Sequence, residues 1–428
     1  MTGLLRTKLQ QLIDEFVGAN PRSQAAYERA CNVLPAGNTR SVLAAEPYPL
    51  TLQSGHDAYV TSVDGREYLD FVSDFTAGLY GHSHAHIQRA ITDAAATGFS
   101  LGGVIEQEAQ LGEILQTRFQ SLERVRYCNS GTEANTLALA TARAFTGRNK
   151  ILVFDRGYHG GTISFPGTGA HPMNLPHDFV VGRFNDIEHT RPLIDDALAA
   201  ILVEPMQMAG GVRPASVPFL QFLRDAATAV GAVLIFDEVV TSRLHYHGLQ
   251  GALGVYPDMT TLGKYLGGGF SFGAFGGRAE IMDLFDPVVR GDRVLHHSGT
   301  FNNNVFTMTA AVAAAELVTE PALRALNRLG DGLRGKANAI LQQAGMEHLV
   351  FFVGYGSTVG IGFGGEGEGE LGPALREVLY FTLLQQGILI GRRGFLCLNL
   401  AYTDAQVERF LDVLQRFVAE WASLLKEL

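Results

Sequence analysis

A chain of 428 residues with 46% apolar and 18% charged side chains is long enough for two or three domains around a sizeable core. Its net charge of −10, with no dense run of Lys and Arg, argues against nucleic-acid binding, and no apolar run is long enough to span a bilayer. Cys31, Cys128 and Cys397 are widely spaced and form no CxxC pair, so neither a disulfide framework nor a zinc site is suggested, and a reducing, cytoplasmic compartment fits.

In chain order, residues 1–16 mix Arg6, Lys8, Asp14 and Glu15 among apolar positions, the pattern of an amphipathic helix and not of a secretory segment. Turn signals at Asn20-Pro21 and Pro35-Ala36-Gly37 mark residues 1–60 as a segment packing with a small C-terminal domain. His82, His84 and His86 lead into a helix, and their i, i+2, i+4 spacing reads as a turn with no metal implied. Apolar runs at 125–129, 150–154, 179–182, 199–204, 232–236 and 272–276 alternate with helical patterns at 132–145 and 218–230. That alternation predicts an α/β fold, a large domain over 61–318 built on a mostly parallel sheet. An alanine-rich stretch at 305–317 reads as a buried helix. A smaller α/β domain follows over 319–428, with helices at 371–386 and 403–426 and a solvated glycine- and glutamate-rich loop at 364–370.

In open sheets of this kind ligands sit at the carboxyl ends of the strands, where Ser130, Glu204, Asp237 and Lys264 all fall. Lys264 closes a short apolar strand and is soon followed by Gly267, Gly268 and Gly269. Such a lysine is poorly placed for a solvated charge and well placed to lose its proton and condense with an aldehyde. Asp237 follows four apolar residues, so its charge needs a partner once buried, and a protonated ring nitrogen supplies one. Amine and acid together are what pyridoxal 5'-phosphate demands. Ser130-Gly131-Thr132 offers a glycine turn and a helix start for the phosphate, although the tripeptide alone is an ordinary helix cap. Tyr158, among Gly157, Gly160 and Gly161, is a ring that would stack on a flat ligand or cover a loop. His159 reads as a satisfied supporting imidazole, and Glu204 either bonds near the ring hydroxyl, orders a loop, or caps its strand.

The motifs NSGTEAN, GYHGG, VEP, FDEVVTSR, LGKYLGGG, GAFGGR and SGTFNNN, in this order, resemble the class III aminotransferases of the fold-type I pyridoxal-phosphate superfamily. The resemblance covers nearly the whole chain and is strongest to the branch holding glutamate-1-semialdehyde aminomutase and the β-phenylalanine aminotransferases. It implies Lys264 as the Schiff-base lysine, Asp237 at the pyridine nitrogen, Tyr158 on the ring face, and Ser130, Gly131 and Thr132 around the phosphate, with Glu204 and Val239 also at the cofactor. Thr300 matches a threonine that reaches the neighbouring subunit's phosphate, which implies a homodimer. Arg40 and Arg393 match arginines that bind substrate carboxylates, and Tyr80, with Phe75 and Leu79, would line the side-chain pocket or pack in the core. Arg392 leaves open which of the two late arginines faces the cavity. FDEVVTSR departs from the aminomutase's FDEVMTGFR, and the segment 160–178 is shorter than the aminomutase's lid; both departures favour transamination. The expectation is an aminotransferase moving nitrogen from a β-amino acid, aromatic ones included, to 2-oxoglutarate or pyruvate. The alternatives are glutamate-1-semialdehyde 2,1-aminomutase and, outside enzymes, an anion-binding protein using only the Ser130–Thr132 turn.

Overall fold

Strands made of unbroken apolar residues persist only where both faces are covered, and the central sheet is built on that rule. In the computed structural model, which describes residues 2–167, 169, 171–364 and 371–425, seven strands form it. They are β1 (Arg124–Cys128), β2 (Lys150–Phe154), β3 (Asp178–Gly182), β4 (Leu198–Val203), β5 (Val233–Asp237), β6 (Met259–Gly263) and β7 (Gly273–Gly277), in the spatial order β1-β7-β6-β5-β4-β2-β3. β7 runs antiparallel to both of its neighbours; the pairings from β6 through β5, β4 and β2 to β3 are parallel.

Side-chain alternation divides the core in two. Val233 and Ile235 of β5, with Ile151, Val153, Ala200 and Leu202, pack under helix α1 (Gly131–Thr146), whose contact stripe is Ala134, Ala138, Leu139 and Ala142. The intervening Leu234 and Phe236, with Leu152, Phe154, Ile201 and Val203, pack on the opposite face against Phe219, Leu220, Leu223 and Ala227 of helix α2 (Val217–Val230). Each fully buried side chain of this type contributes roughly 1.5–3 kcal/mol. This sheet and its helices belong to a compact unit comprising Thr76–Gly78 and Ala85–Ala325.

The second unit comprises Met1–Phe75, Leu79–His84 and Leu326–Leu428. Within it the helix Thr2–Ala19 packs on the helix Leu371–Gln385, with Phe16 edge-on to Phe381 at 5.6 Å. The strand Ile388–Leu389 joins Glu67–Asp70 in parallel, so the early and late parts of the sequence share a sheet. A three-stranded antiparallel sheet is formed by Val350–Tyr355, Thr358–Phe363 and Phe395–Cys397. Ser73, Asp74 and Phe75 have φ of 45°, 43° and 50°, a left-handed run without glycine. Such geometry costs about 1–2 kcal/mol per residue. It is pinned by Asp70 Oδ1, which accepts the N–H groups of Val72 and Ser73, and by Ser73 Oγ, which donates to Cys397 O at 2.8 Å.

The expected glycine- and glutamate-rich loop lies, beyond Gly364, outside the described residues. Of the expected histidine turn, His82 pairs with Asp70 at 2.9 Å and His86 with Glu316 at 3.0 Å, and the helix starts at Ala85. Among the described residues no group of three His, Cys, Asp or Glu side chains is arranged to hold a metal, and no helix is long and apolar enough to cross a membrane.

Candidate active site

Period-2 alternation along β5 puts Asp237 on the same face as Val233 and Ile235, the face covered by α1. That is why a residue of α1 reaches it. Asn135 Nδ2 donates to Asp237 Oδ2 at 2.8 Å and to His159 O at 3.1 Å, while its Oδ1 accepts from Thr261 Oγ1 at 2.7 Å. His159 Nδ1 lies 2.8 Å from the same Asp237 oxygen, and Asp237 Oδ1 accepts the N–H of Val239 at 3.1 Å. The carboxylate is 5% exposed, so it is desolvated yet reachable from one side. Burial opposes a charge on His159, but the hydrogen bond and charge of Asp237, with Glu204 behind it, prevail and raise the imidazole above its ordinary value.

The helix start at Ser130 is fixed by its own sequence. Ser130 Oγ accepts the N–H of Glu133 at 3.1 Å, and Glu133 Oε2 reaches back to the N–H of Asn129 at 2.9 Å. A methyl on Gly131 would sit 2.9 Å from both Cγ atoms of Val239, so the turn packs directly on the segment after Asp237. Gly160, at φ +122°, has no room for a Cβ either, since Thr132 Oγ1 would lie 2.3 Å from it. These contacts bring Ser130, Gly131, Thr132, the Tyr158 loop, Val239 and Asp237 to one end of the sheet.

Lys264 leaves β6 three residues beyond Thr261, which pairs with Asp237 in the parallel register. It is half-buried, and its φ is +55°, a left-handed conformation that turns the chain sharply out of the strand between Gly263 and Gly267. Glu204, on the next strand, is buried, and its two oxygens accept the N–H groups of Tyr158 at 3.0 Å and Met208 at 3.2 Å. Burial, tempered by the positive pull of His159 and reinforced by Asp237, pushes its carboxyl up to about 7. It orders the loop whose Tyr158 ring is 50% exposed.

The residues fit pyridoxal phosphate on three counts. A fixed carboxylate is held for a cationic ring, a glycine turn opens a 16-residue helix for an anion, and an exposed aromatic lies among glycines.

Arg40, Tyr80 and Arg393 belong to the other compact unit. Arg40 is exposed and bonded to Asp74, Tyr80 is buried, and Arg393 is exposed with no partner among the described residues. Arg392 is committed elsewhere: its Nε and Nη2 both donate to Glu377 Oε2, at 2.8 and 2.6 Å, over the rings of Tyr380 and Phe381. Thr300 is exposed on a loop that Asn302 Oδ1 ties to Asn129 Nδ2 at 3.0 Å. The sequence gives no role to Thr261, and Asn135, which closes the NSGTEAN motif, carries as its further signal only an amide inside the alanine stripe of a sheet-facing helix.

Residues 42–418 match the family model described as aminotransferase class-III. The β-phenylalanine transaminase of Variovorax paradoxus is 44% identical over 420 residues, covering 96% of this chain and 95% of that one. The crystal structure of a β-phenylalanine aminotransferase from that organism superposes with a TM-score of 0.94 at 43% identity, covering 98% and 99%. A glutamate-1-semialdehyde 2,1-aminomutase of Anoxybacillus flavithermus is 32% identical, covering 94% and 99%. A transaminase structure with pyridoxal phosphate bound matches at 33% identity and a TM-score of 0.86, covering 94% and 98%.

Proposed function

We propose that this chain, which belongs to the class III aminotransferases, transfers the amino group of a β-amino acid, aromatic ones included, to 2-oxoglutarate or pyruvate. The observation that carries the proposal is the likeness along nearly the whole length to a β-phenylalanine transaminase. The exposed Arg40 and Arg393 support it, because a donor and a dicarboxylic acceptor must each find a guanidinium.

Pyridoxal phosphate, when bound, supplies a carbonyl for the donor nitrogen and a cationic ring that accepts electron density. Ser130, Gly131 and Thr132 would hold its phosphate with the first-turn N–H groups of α1, and Tyr158 and Val239 would contact its ring. Asp237, both of whose carboxylate oxygens are fixed by Asn135, His159 and the Val239 N–H, would balance the ring's positive charge. The neutral amine Lys264 Nζ takes the proton from the amine-bearing carbon of the donor, as general base. Arg40 orients the donor carboxylate, and Arg393 takes the second carboxylate of the acceptor. Two chains form a homodimer in which Thr300 of each completes the other's phosphate site.

The test is a panel of β-phenylalanine, β-alanine, α-amino acids and 1-phenylethylamine against both oxo acids, with products identified by mass. Oxo-acid-dependent consumption of β-amino acids supports the proposal. Turnover of glutamate-1-semialdehyde without any added oxo acid, with the β-amino acids inert, points instead to the aminomutase. Lys264→Ala is expected to lose at least about 10²–10⁴-fold in rate, and a variant turning over normally refutes the assignment.

A further inference from the structure

The guanidinium assigned above to the donor carboxylate already faces a carboxylate of its own chain. Arg40 Nη1 lies 2.7 Å from Asp74 Oδ1, and its guanidinium carbon is 5.1 Å from the centre of the Phe75 ring. Phe75 is stacked in turn on Phe395 at 6.3 Å and 3°, two residues beyond Arg393. The backbone of Arg40 is also anchored, its N–H donating to Asn38 Oδ1 at 3.0 Å.

Asp74 follows a residue that is tied down, which sets where its carboxylate starts from. It sits in the left-handed run from Ser73 to Phe75, whose backbone is fixed through Asp70, Cys397 O and Asn399 Nδ2. No glycine relieves that geometry, which Asp74 tolerates better than Ser73 or Phe75, and an outlier of this kind motivates a search for function at this point of the fold. What the strain delivers is one carboxylate directed at one arginine, with an aromatic platform beside it.

The pair is nevertheless easy to open. Arg40 is 46% exposed and Asp74 57%, and exposed single ion pairs are weak and screened. A ligand carboxylate that engages the planar fork through two parallel hydrogen bonds over the Phe75 ring makes the stronger contact.

We infer that Asp74 is a built-in stand-in for the substrate carboxylate. It holds Arg40 over Phe75 between turnovers and yields it to the carboxylate of an incoming donor. Asp74 is thus a positioning residue acting through Arg40: it keeps the arginine in place when no acid is bound, weakens the grip on carboxylated ligands, and speeds release of the oxo acid. The inference rests on the assignment of Arg40 under Proposed function.

The experiment uses the holoenzyme with Asp74→Asn and Asp74→Gly, because asparagine and glycine both tolerate the left-handed backbone. The probes are β-phenylalanine, the amine-free acid 3-phenylpropanoate as competitive inhibitor, and 1-phenylethylamine as a donor with no carboxylate. Both variants should lower KM for β-phenylalanine and Ki for 3-phenylpropanoate by about two- to fivefold, the factor set by losing one exposed ion pair. Constants for 1-phenylethylamine should not move, which separates the role from a general structural one. In an Arg40→Gln background the Asp74 substitutions should have no further effect on the carboxylated probes. Unchanged or raised KM and Ki in both Asp74 variants, while Arg40→Gln alone still impairs β-phenylalanine selectively, overturns the stand-in role and leaves the Arg40 assignment intact. Equal impairment of β-phenylalanine and 1-phenylethylamine by Arg40→Gln overturns the assignment and this inference with it.

Discussion

Glu204 Oε2 accepts the backbone N–H of Tyr158 at 3.0 Å, so the loop carrying the exposed ring hangs from a buried carboxyl whose pKa is about 7. Its folded value is raised above the unfolded 4.5, so the stability it contributes is complete below about pH 4.5 and is lost as pH rises through about 7. Glu204→Gln should remove this fall, on the order of 3 kcal/mol at most between pH 4.5 and 7. Glutamine offers a single acceptor oxygen in place of two, so either the Tyr158 or the Met208 N–H loses its partner, which costs about 1–3 kcal/mol at every pH. Urea midpoints across pH 5–8 for both proteins check it, and parallel curves would count against the raised pKa.

Gly160→Ala places a methyl against Thr132 Oγ1 at a φ of +122° that alanine resists, and Gly131→Ala presses on Val239. Both disturb the turn assigned to the phosphate. Strain of about 1–3 kcal/mol corresponds to roughly five- to 150-fold weaker pyridoxal-phosphate binding, with Gly160→Ala the worse of the two. Cofactor titration of the apoproteins measures it, and wild-type affinity in both would dissociate the turn from the phosphate.

Arg392 and Arg393 stand side by side and should behave oppositely. Arg392→Ala strips from Glu377 the guanidinium that donates twice to its Oε2, and with that side chain only 20% exposed should lower stability by about 1–3 kcal/mol. Arg393→Ala removes an exposed side chain and should leave stability within about 0.5 kcal/mol, while raising KM for 2-oxoglutarate more than for pyruvate. Melting curves with acceptor kinetics decide it; loss of stability in Arg393→Ala would reverse the roles.

If Thr300 completes the neighbouring subunit's site, then mixing inactive Lys264→Ala with Thr300→Ala chains and refolding them together restores function. Heterodimers contain one site with Lys264 from one chain and Thr300 from the other. Activity of the mixture at or below the mean of the two parents would argue for self-contained sites.

The sheet was legible because its strands are coded redundantly: 198–203 is apolar at every position, a pattern that tolerates no other burial. The placement of Lys264 at a strand exit and of Ser130 at a helix start was legible because their glycine surroundings are unusual for a lysine and usual for a helix start. Asn135 was not, since its value depends on facing Asp237, which only the alternation of a strand about a hundred residues later decides. The Arg40–Asp74 pair was invisible for another reason: nothing in Ser73-Asp74-Phe75 announces a left-handed backbone.

Lys264 occupies a backbone conformation, φ +55°, in which glycine would be more comfortable than any side chain. On the role proposed for Lys264, the reacting amine sits where the backbone alone would favour glycine, so chemistry and backbone ease pull in opposite directions at this one position.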